Sequence, residues 1–217
     1  MSRSTHLQRM LDAGIVAVVR SPDSRQLLEV AKALTDGGVN VMEITFTVPN
    51  ALEVIRQVQQ VLGDRILLGA GTVLDPETAR AAILAGTEFI VAPTLNLEVI
   101  RLCHRYDKLV LPGAFSPTEI LAAWEAGADI VKVFPADVLG PAFFKAMRGP
   151  LPQIRLMPTG GVDLNSAAEF LKAGACCLGI GNQLVDPQAV ANGDFGRIRE
   201  LARKYVDVVK RHQSKVE

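Results

Sequence analysis

Lys132 interrupts the apolar run Asp129-Ile-Val-Lys-Val-Phe-Pro135. The run otherwise reads as a strand buried on both faces, where an uncompensated ammonium is costly. Desolvation drives a buried lysine's pKa down from ~10.4 toward neutrality, leaving an amine able to attack a carbonyl carbon. The chemistry this residue points to is Schiff-base formation. A lysine at a strand end also snorkels to solvent or pairs with a carboxylate for structural reasons alone, so the surrounding residues must decide.

Glu43, in the run Val41-Met-Glu-Ile-Thr45, is the candidate partner. Side chains alternate along a strand, so Val41, Glu43 and Thr45 share one face, as do Ile130, Lys132 and Phe134. A carboxylate facing the amine either pins it as an ammonium or shuttles its protons. Two glycine-bearing turns, Gly160-Gly161 and Gly181-Asn182, follow late apolar runs and offer backbone N–H groups at helix starts. Such groups bind phosphate without net positive charge, and with Arg20 after the first run they define a candidate anion site. Thr72, Pro93 and Thr94, and Pro158-Thr159 also fall at the ends of apolar runs.

The elements that would position these residues are eight Val- and Ile-rich runs: Ile15–Val19, Val41–Thr45, Ile66–Leu68, Phe89–Val91, Leu109–Leu111, Ile130–Val133, Arg155–Met157 and Cys177–Ile180. Stretches with helical spacing separate them, such as Leu27, Leu28, Ala31 and Leu34. Alternating strand and helix implies parallel strands and right-handed crossovers. Helix starts carry Asp23-Ser24, Asp75-Pro76, Ser116-Pro117 and Asp163; helix ends carry Gly37-Gly38, Gly86, Gly127 and Gly174. The expected fold is α/β, a minimal (β/α)8 TIM barrel forming a single domain over residues 1–217, with a short N-terminal helical lead-in and a C-terminal helix. A doubly wound sheet is the competitor. Gly69-Ala-Gly-Thr72 lacks the G-x-G-x-x-G spacing and an acidic partner at the usual distance, so a nicotinamide cofactor is not expected.

Composition narrows the partners. Lys plus Arg and Asp plus Glu both number 23, so net charge points to neither nucleic acid nor an anionic membrane. No apolar stretch approaches the ~20 residues of a membrane span, and the expected location is the cytoplasm. Cys103, Cys176 and Cys177 read as reduced core or near-surface thiols, and His6, His104 and His212 as exposed helix or terminus residues without a metal-ligand pattern. No metal site is expected.

Taken together, Ile15-Val-Ala-Val-Val-Arg20, Glu43-Ile-Thr-Phe-Thr-Val-Pro49, Gly69-Ala-Gly-Thr-Val73, Ala92-Pro93, Pro112-Gly113, Lys132-Val-Phe-Pro135 and Pro158-Thr-Gly-Gly-Val162 resemble the class I 2-keto-3-deoxy-6-phosphogluconate (KDPG) aldolase family, which includes 4-hydroxy-2-oxoglutarate (KHG) aldolases. The resemblance runs through Asp194. It implies a homotrimeric, metal-independent aldolase acting on a small keto-acid phosphate, with no cofactor beyond the lysine imine. By the same resemblance Lys132 is the Schiff-base lysine and Glu43 the proton-transfer residue. Thr72, Pro93 and Phe134, with Thr47 and Thr159, fall at the pyruvate end; Arg20, Gly160, Gly161, Gly181 and Asn182 fall at the phosphate end. At Thr47 some family members carry arginine, and at Asn182 serine, so a bidentate guanidinium contact is missing from this chain.

Two other readings of the same residues differ in kind. A phosphosugar isomerase or epimerase would use Glu43 as base and Lys132 as electrostatic stabiliser, and a non-catalytic phosphosugar-binding protein would keep the pocket without turnover.

Overall fold

The computed structural model describes residues 2–214; residue 1 and residues 215–217, included in the domain read from sequence, lie outside them. The chain runs α1 (Arg3–Ala13), β1 (Ile15–Val19), α2 (Leu27–Asp36), β2 (Val41–Thr45), α3 (Ala51–Leu62), β3 (Leu67–Gly71), α4 (Pro76–Leu84), β4 (Phe89–Val91) and α5 (Leu97–Arg105). It continues through β5 (Leu109–Leu111), β6 (Gly113–Ala114), α6 (Pro117–Glu125), β7 (Val131–Val133), α7 (Ala136–Met147), β8 (Leu156–Pro158), α8 (Ala167–Lys172), β9 (Leu178–Ile180), α9 (Pro187–Ala191) and α10 (Phe195–Gln213).

All strand pairs are parallel. One sheet has the order β5-β4-β3-β2-β1-β9 and a second the order β6-β7-β8. The fifth expected strand, Leu109–Leu111, is present as β5, and a further short strand, β6, follows it across Pro112, whose carbonyl accepts the Lys132 N–H at 2.9 Å. On the other side, Thr159 just past β8 forms an isolated parallel bridge with Gly179 in β9. The result is an α/β fold whose parallel sheet is curled around an apolar interior.

Every strand residue is buried, as both-face coverage of a parallel sheet requires. Inward-facing Val16, Val41, Leu67, Phe89, Leu109, Ile130, Met157 and Cys177 pack on one another, while outward-facing residues such as Val131 and Val133 join the larger core beneath the helices. Helix α1 underlies the interior: Met10 is fully buried in it, with Leu7 and Leu11 packed alongside. Arg3 Nε donates to Asp129 Oδ1 at 2.8 Å, and Asp129 Oδ2 accepts the Val110 N–H at 2.9 Å. His6 is buried rather than exposed, with Nδ1 3.4 Å from Glu88 Oε2; Glu88 also accepts from Lys108 Nζ at 2.6 Å. Helical periodicity in α1 brings Arg3, His6 and Met10 toward one face, which explains the difference from the expected exposure of His6.

Local signals act largely as expected. Ser116 and Glu119 form a capping box for α6, and Asp75 caps α4 through the Thr78 N–H. Asp23 instead accepts from Arg25 N and Nη2, so α2 starts later, at Leu27. Helix α7 is broken at Gly140 (φ 68°, ψ 174°), directly before Pro141. Among the described residues, no helix is long and apolar enough to cross a membrane.

Candidate active site

Glu43 sits at the middle of β2, paired in register with Gly69 of β3, and is fully buried. Lys132 occupies the middle of β7 at 5 % exposure. The curl of the sheet brings their inward side chains together, with Lys132 Nζ 4.0 Å from Glu43 Oε1. That is beyond hydrogen-bond range, and both Glu43 oxygens lack a hydrogen-bond partner. The carboxylate fits because β3 is glycine at Gly71: a Cβ there would stand 2.5 Å from Glu43 Oε1 and 2.6 Å from its Cδ.

Burial dominates the titration of both groups. It pushes the Lys132 ammonium below its ordinary range, with the positive Arg20 adding to the shift and the Glu43 charge opposing it. It pushes the Glu43 carboxyl up, opposed by the positive charges of Lys132 and Arg20. Each shift moves its group toward the neutral form relative to an exposed one, and a neutral amine is the nucleophilic form. Lys132 Nζ also lies 5.3 Å from the centroid of the Phe134 ring.

Above this pair opens a cavity of about 380 Å³. Thr72, Pro93, Phe134 and Thr159 line it together with Lys132, and Arg20, Gly160, Gly161, Gly181 and Asn182 line its other end. Thr159 is 6 % exposed and its Oγ1 has no hydrogen-bond partner. A side chain on neighbouring Gly179 would collide with that oxygen. Thr72 adopts φ 59°, an unfavourable conformation for a β-branched residue, and is held there at the cavity wall. Gly160 and Gly161 take φ 94° and 69°, a turn that places backbone rather than side chain at the wall. Arg20 is exposed and, among the described residues, forms no ion pair with a carboxylate.

Two expected site residues are not on this wall. Glu43 lies beneath it, and Thr47 is exposed outside it, its Oγ1 2.7 Å from Thr45 Oγ1. Conversely Val18 and Gln183 line the cavity without having been singled out, and buried Gly71 on β3 leaves the space that Glu43 occupies beneath it. Val18 was legible two residues before Arg20 on the same strand face, and Gln183 directly follows the Gly181-Asn182 turn. Gly71 carries no such signal, because its role is the space it leaves. Among the described residues no group of three or more His, Cys, Asp or Glu side chains is placed to hold a metal ion. Burial pushes the Cys103 thiol up to about 12, as expected of an inert core cysteine.

Comparison with known proteins adds to this geometry. The family described as "Aldolase: KDPG and KHG aldolase" matches residues 7–201. The 2-dehydro-3-deoxy-phosphogluconate aldolase of Treponema pallidum (strain Nichols) is 37% identical over 204 residues, covering 94% of this chain and 95% of that protein. The 2-dehydro-3-deoxy-6-phosphogalactonate aldolase of Escherichia coli (strain K12) is 35% identical over 171 residues, covering 78% of this chain and 83% of that one. Among solved structures, a KDPG aldolase from Legionella pneumophila, with pyruvate captured at low pH as a covalent carbinolamine intermediate, aligns with a TM-score of 0.85 at 27% identity. The alignment covers 94% of this chain and 97% of that one.

Proposed function

Because the chain belongs to the KDPG and KHG aldolase family, we propose that it cleaves KDPG to pyruvate and D-glyceraldehyde 3-phosphate through an imine on Lys132. The observation that carries this reading is the buried Lys132–Glu43 pair at the floor of the cavity, close but not hydrogen-bonded.

Neutral Lys132 adds to the C2 ketone, and loss of water from the carbinolamine gives an iminium. Its positive charge is the electron sink for cleavage of the C3–C4 bond. Glu43, through a bridging water, moves protons during carbinolamine formation and then takes the C4 hydroxyl proton. The enamine left behind is protonated at C3, and hydrolysis of the resulting imine releases pyruvate and restores the amine. No dissociable cofactor enters the scheme. Thr72, Pro93, Phe134 and Thr159 border the pyruvate end, with Thr47 at its periphery. Arg20 and the backbone at Gly160, Gly161, Gly181 and Asn182 receive the phosphate.

With glyoxylate in place of the phosphorylated aldehyde, the same chemistry serves 4-hydroxy-2-oxoglutarate. The assembly we infer is a cytoplasmic homotrimer of single-domain (β/α)8 barrels. Closure of the barrel is supported by chain continuity across Pro112 at one seam and the Thr159–Gly179 bridge at the other.

The deciding experiment is intact mass after incubation with pyruvate and sodium borohydride, followed by peptide mapping. A reduced pyruvyl adduct on Lys132 is expected. Its absence, where a known Schiff-base aldolase is labelled, would turn the assignment toward an isomerase or a binding protein.

A further inference from the structure

At the end of the sheet opposite the catalytic mouth, where the chain enters β9, two cysteines are neighbours both in sequence and in space. Successive side chains entering a strand ordinarily point to opposite faces. Here they converge: Cys176 Sγ stands 3.8 Å from Cys177 Sγ, and both pack with the interior cluster that holds Met10. Cys177 is fully buried. Cys176 is half-buried and, with Gly14, Leu171, Val209, His212 and Gln213, lines a cavity of about 290 Å³.

The two thiols thus differ in access while sharing a contact. A small oxidant entering the cavity meets Cys176, and Cys177 is reached through it. Contact with Cys176 and burial push the Cys177 thiol well above its ordinary range, which makes it a poor reagent toward species in solution. Toward a sulfur it already touches it needs no solvent access, and proximity works in its favour. Among the described residues neither thiol belongs to a group of three or more His, Cys, Asp or Glu able to hold a metal ion.

We propose that Cys176 and Cys177 form a reversible redox modification site that takes a hydroperoxide as oxidant and whose closure loosens the start of β9. The Cys176 sulfur attacks the peroxide, the O–O bond breaks, and Cys176 becomes a sulfenic acid as water or an alcohol leaves. Cys177 Sγ then attacks that sulfur. The S–O bond breaks, the Cys177 proton departs with the hydroxyl as water, and a disulfide between neighbouring residues remains. The two thiols supply the two electrons that the peroxide accepts.

Adjacent residues hold their Cα atoms ~3.8 Å apart, short of the ~4.4–6.8 Å of an ordinary disulfide. The product is strained, and strained disulfides are the labile ones, so a dithiol restores the pair. Closure must draw the sulfurs from 3.8 Å to ~2.05 Å. It does so between the two main-chain bonds that anchor this segment: the Cys176 N–H donates to the Leu156 carbonyl at 2.9 Å, and the Leu178 N–H to the Gly14 carbonyl at 3.0 Å.

The test treats the full chain with hydrogen peroxide, alkylates the remaining thiols, maps the peptides by mass and follows amide hydrogen exchange. Two of the three thiols, Cys176 and Cys177, should be lost within one chain while Cys103 is alkylated, and dithiothreitol should restore both. Exchange at the Cys176 and Leu178 amides should rise about ten-fold in the oxidised form. In Cys177→Ala, dimedone should capture the Cys176 sulfenic acid about ten-fold or more above the parent. Continued peroxide should carry that variant to the sulfinic acid, which dithiothreitol does not reverse. The proposal is overturned if peroxide leaves all three thiols free, if the lost thiols include Cys103 or pair between chains, or if the parent's Cys176 reaches the sulfinic acid as readily as the variant's. Equal exchange at Cys176 and Leu178 in both forms would overturn it as well.

Discussion

Lys132 Nζ and Glu43 Oε1 stand 4.0 Å apart with no hydrogen bond between them, although both side chains are almost wholly buried. A pair selected for stability would close that gap, because buried charges are compensated only by good geometry and satisfied lone pairs. The spacing fits a pair kept open for a third participant between them.

The two members should therefore fail differently when removed. Lys132→Ala should show no turnover and no borohydride adduct. Glu43→Gln should slow turnover by about 10²- to 10⁴-fold, the range of lost general acid–base catalysis, and still form the adduct with pyruvate slowly. Steady-state rates and intact mass on both variants separate these outcomes; turnover by Lys132→Ala at the parent rate would remove the covalent mechanism.

The pH dependence follows from the direction of the Lys132 shift. Burial lowers its folded pKa below 10.5, so between the folded value and 10.5 the unfolded chain holds a proton that the native one lacks. Stability conferred by this residue accordingly rises with pH across that window and is lowest below the folded pKa. Denaturant titrations should show the parent gaining on Lys132→Met as pH is raised toward 10.5. The rate of imine formation should climb through the folded pKa, and a midpoint at the ordinary lysine value would contradict the burial argument.

Gly71→Ala should act on chemistry through Glu43. The added methyl would stand 2.5 Å from Glu43 Oε1, so the carboxylate must shift. Overpacking of this kind costs about 1–3 kcal/mol of stability. The informative readout is a fall in kcat and a displaced pH–rate profile with KM little changed, which a loss of stability alone would not produce.

Arg20→Ala should weaken the phosphorylated substrate selectively. Removing a charge-assisted contact to phosphate should lower kcat/KM roughly 10- to 100-fold. Cleavage of 4-hydroxy-2-oxoglutarate, which has no phosphate, should change far less. Equal losses on both substrates would place Arg20 in general support of the site.

Much of this arrangement is legible in the chain because strand alternation is a strict rule: period two along Val41–Thr45 and across Ile130–Phe134 puts Glu43 and Lys132 on inward faces. The short extra strand β6 beyond Pro112 was not legible, since a proline beside an apolar run signals a strand's end and not a second strand in another sheet. Burial of His6 depends on how α1 docks, a contact between segments far apart in sequence. Thr47 was placed at the site by analogy with a longer arginine; a threonine at that position turns to Thr45 instead. The space left by Gly71 and Gly179 escapes any reading by residue chemistry, because nothing marks a glycine kept for what it omits.

Helix α1, with Met10 seated under the inward-facing strand residues, stops one end of the apolar interior, and the cavity above Lys132 and Glu43 opens at the other. Reactants and products must share that opening, and the order of traffic is then imposed by depth. In the proposed mechanism the carbons bound to Lys132 would lie at the floor and the aldehyde released from C4 nearer the rim, so the aldehyde should depart first and the water that frees pyruvate should enter behind it. Product-inhibition patterns should show pyruvate competing with substrate for the free enzyme and the aldehyde acting noncompetitively, the signature of a queue rather than a random exit.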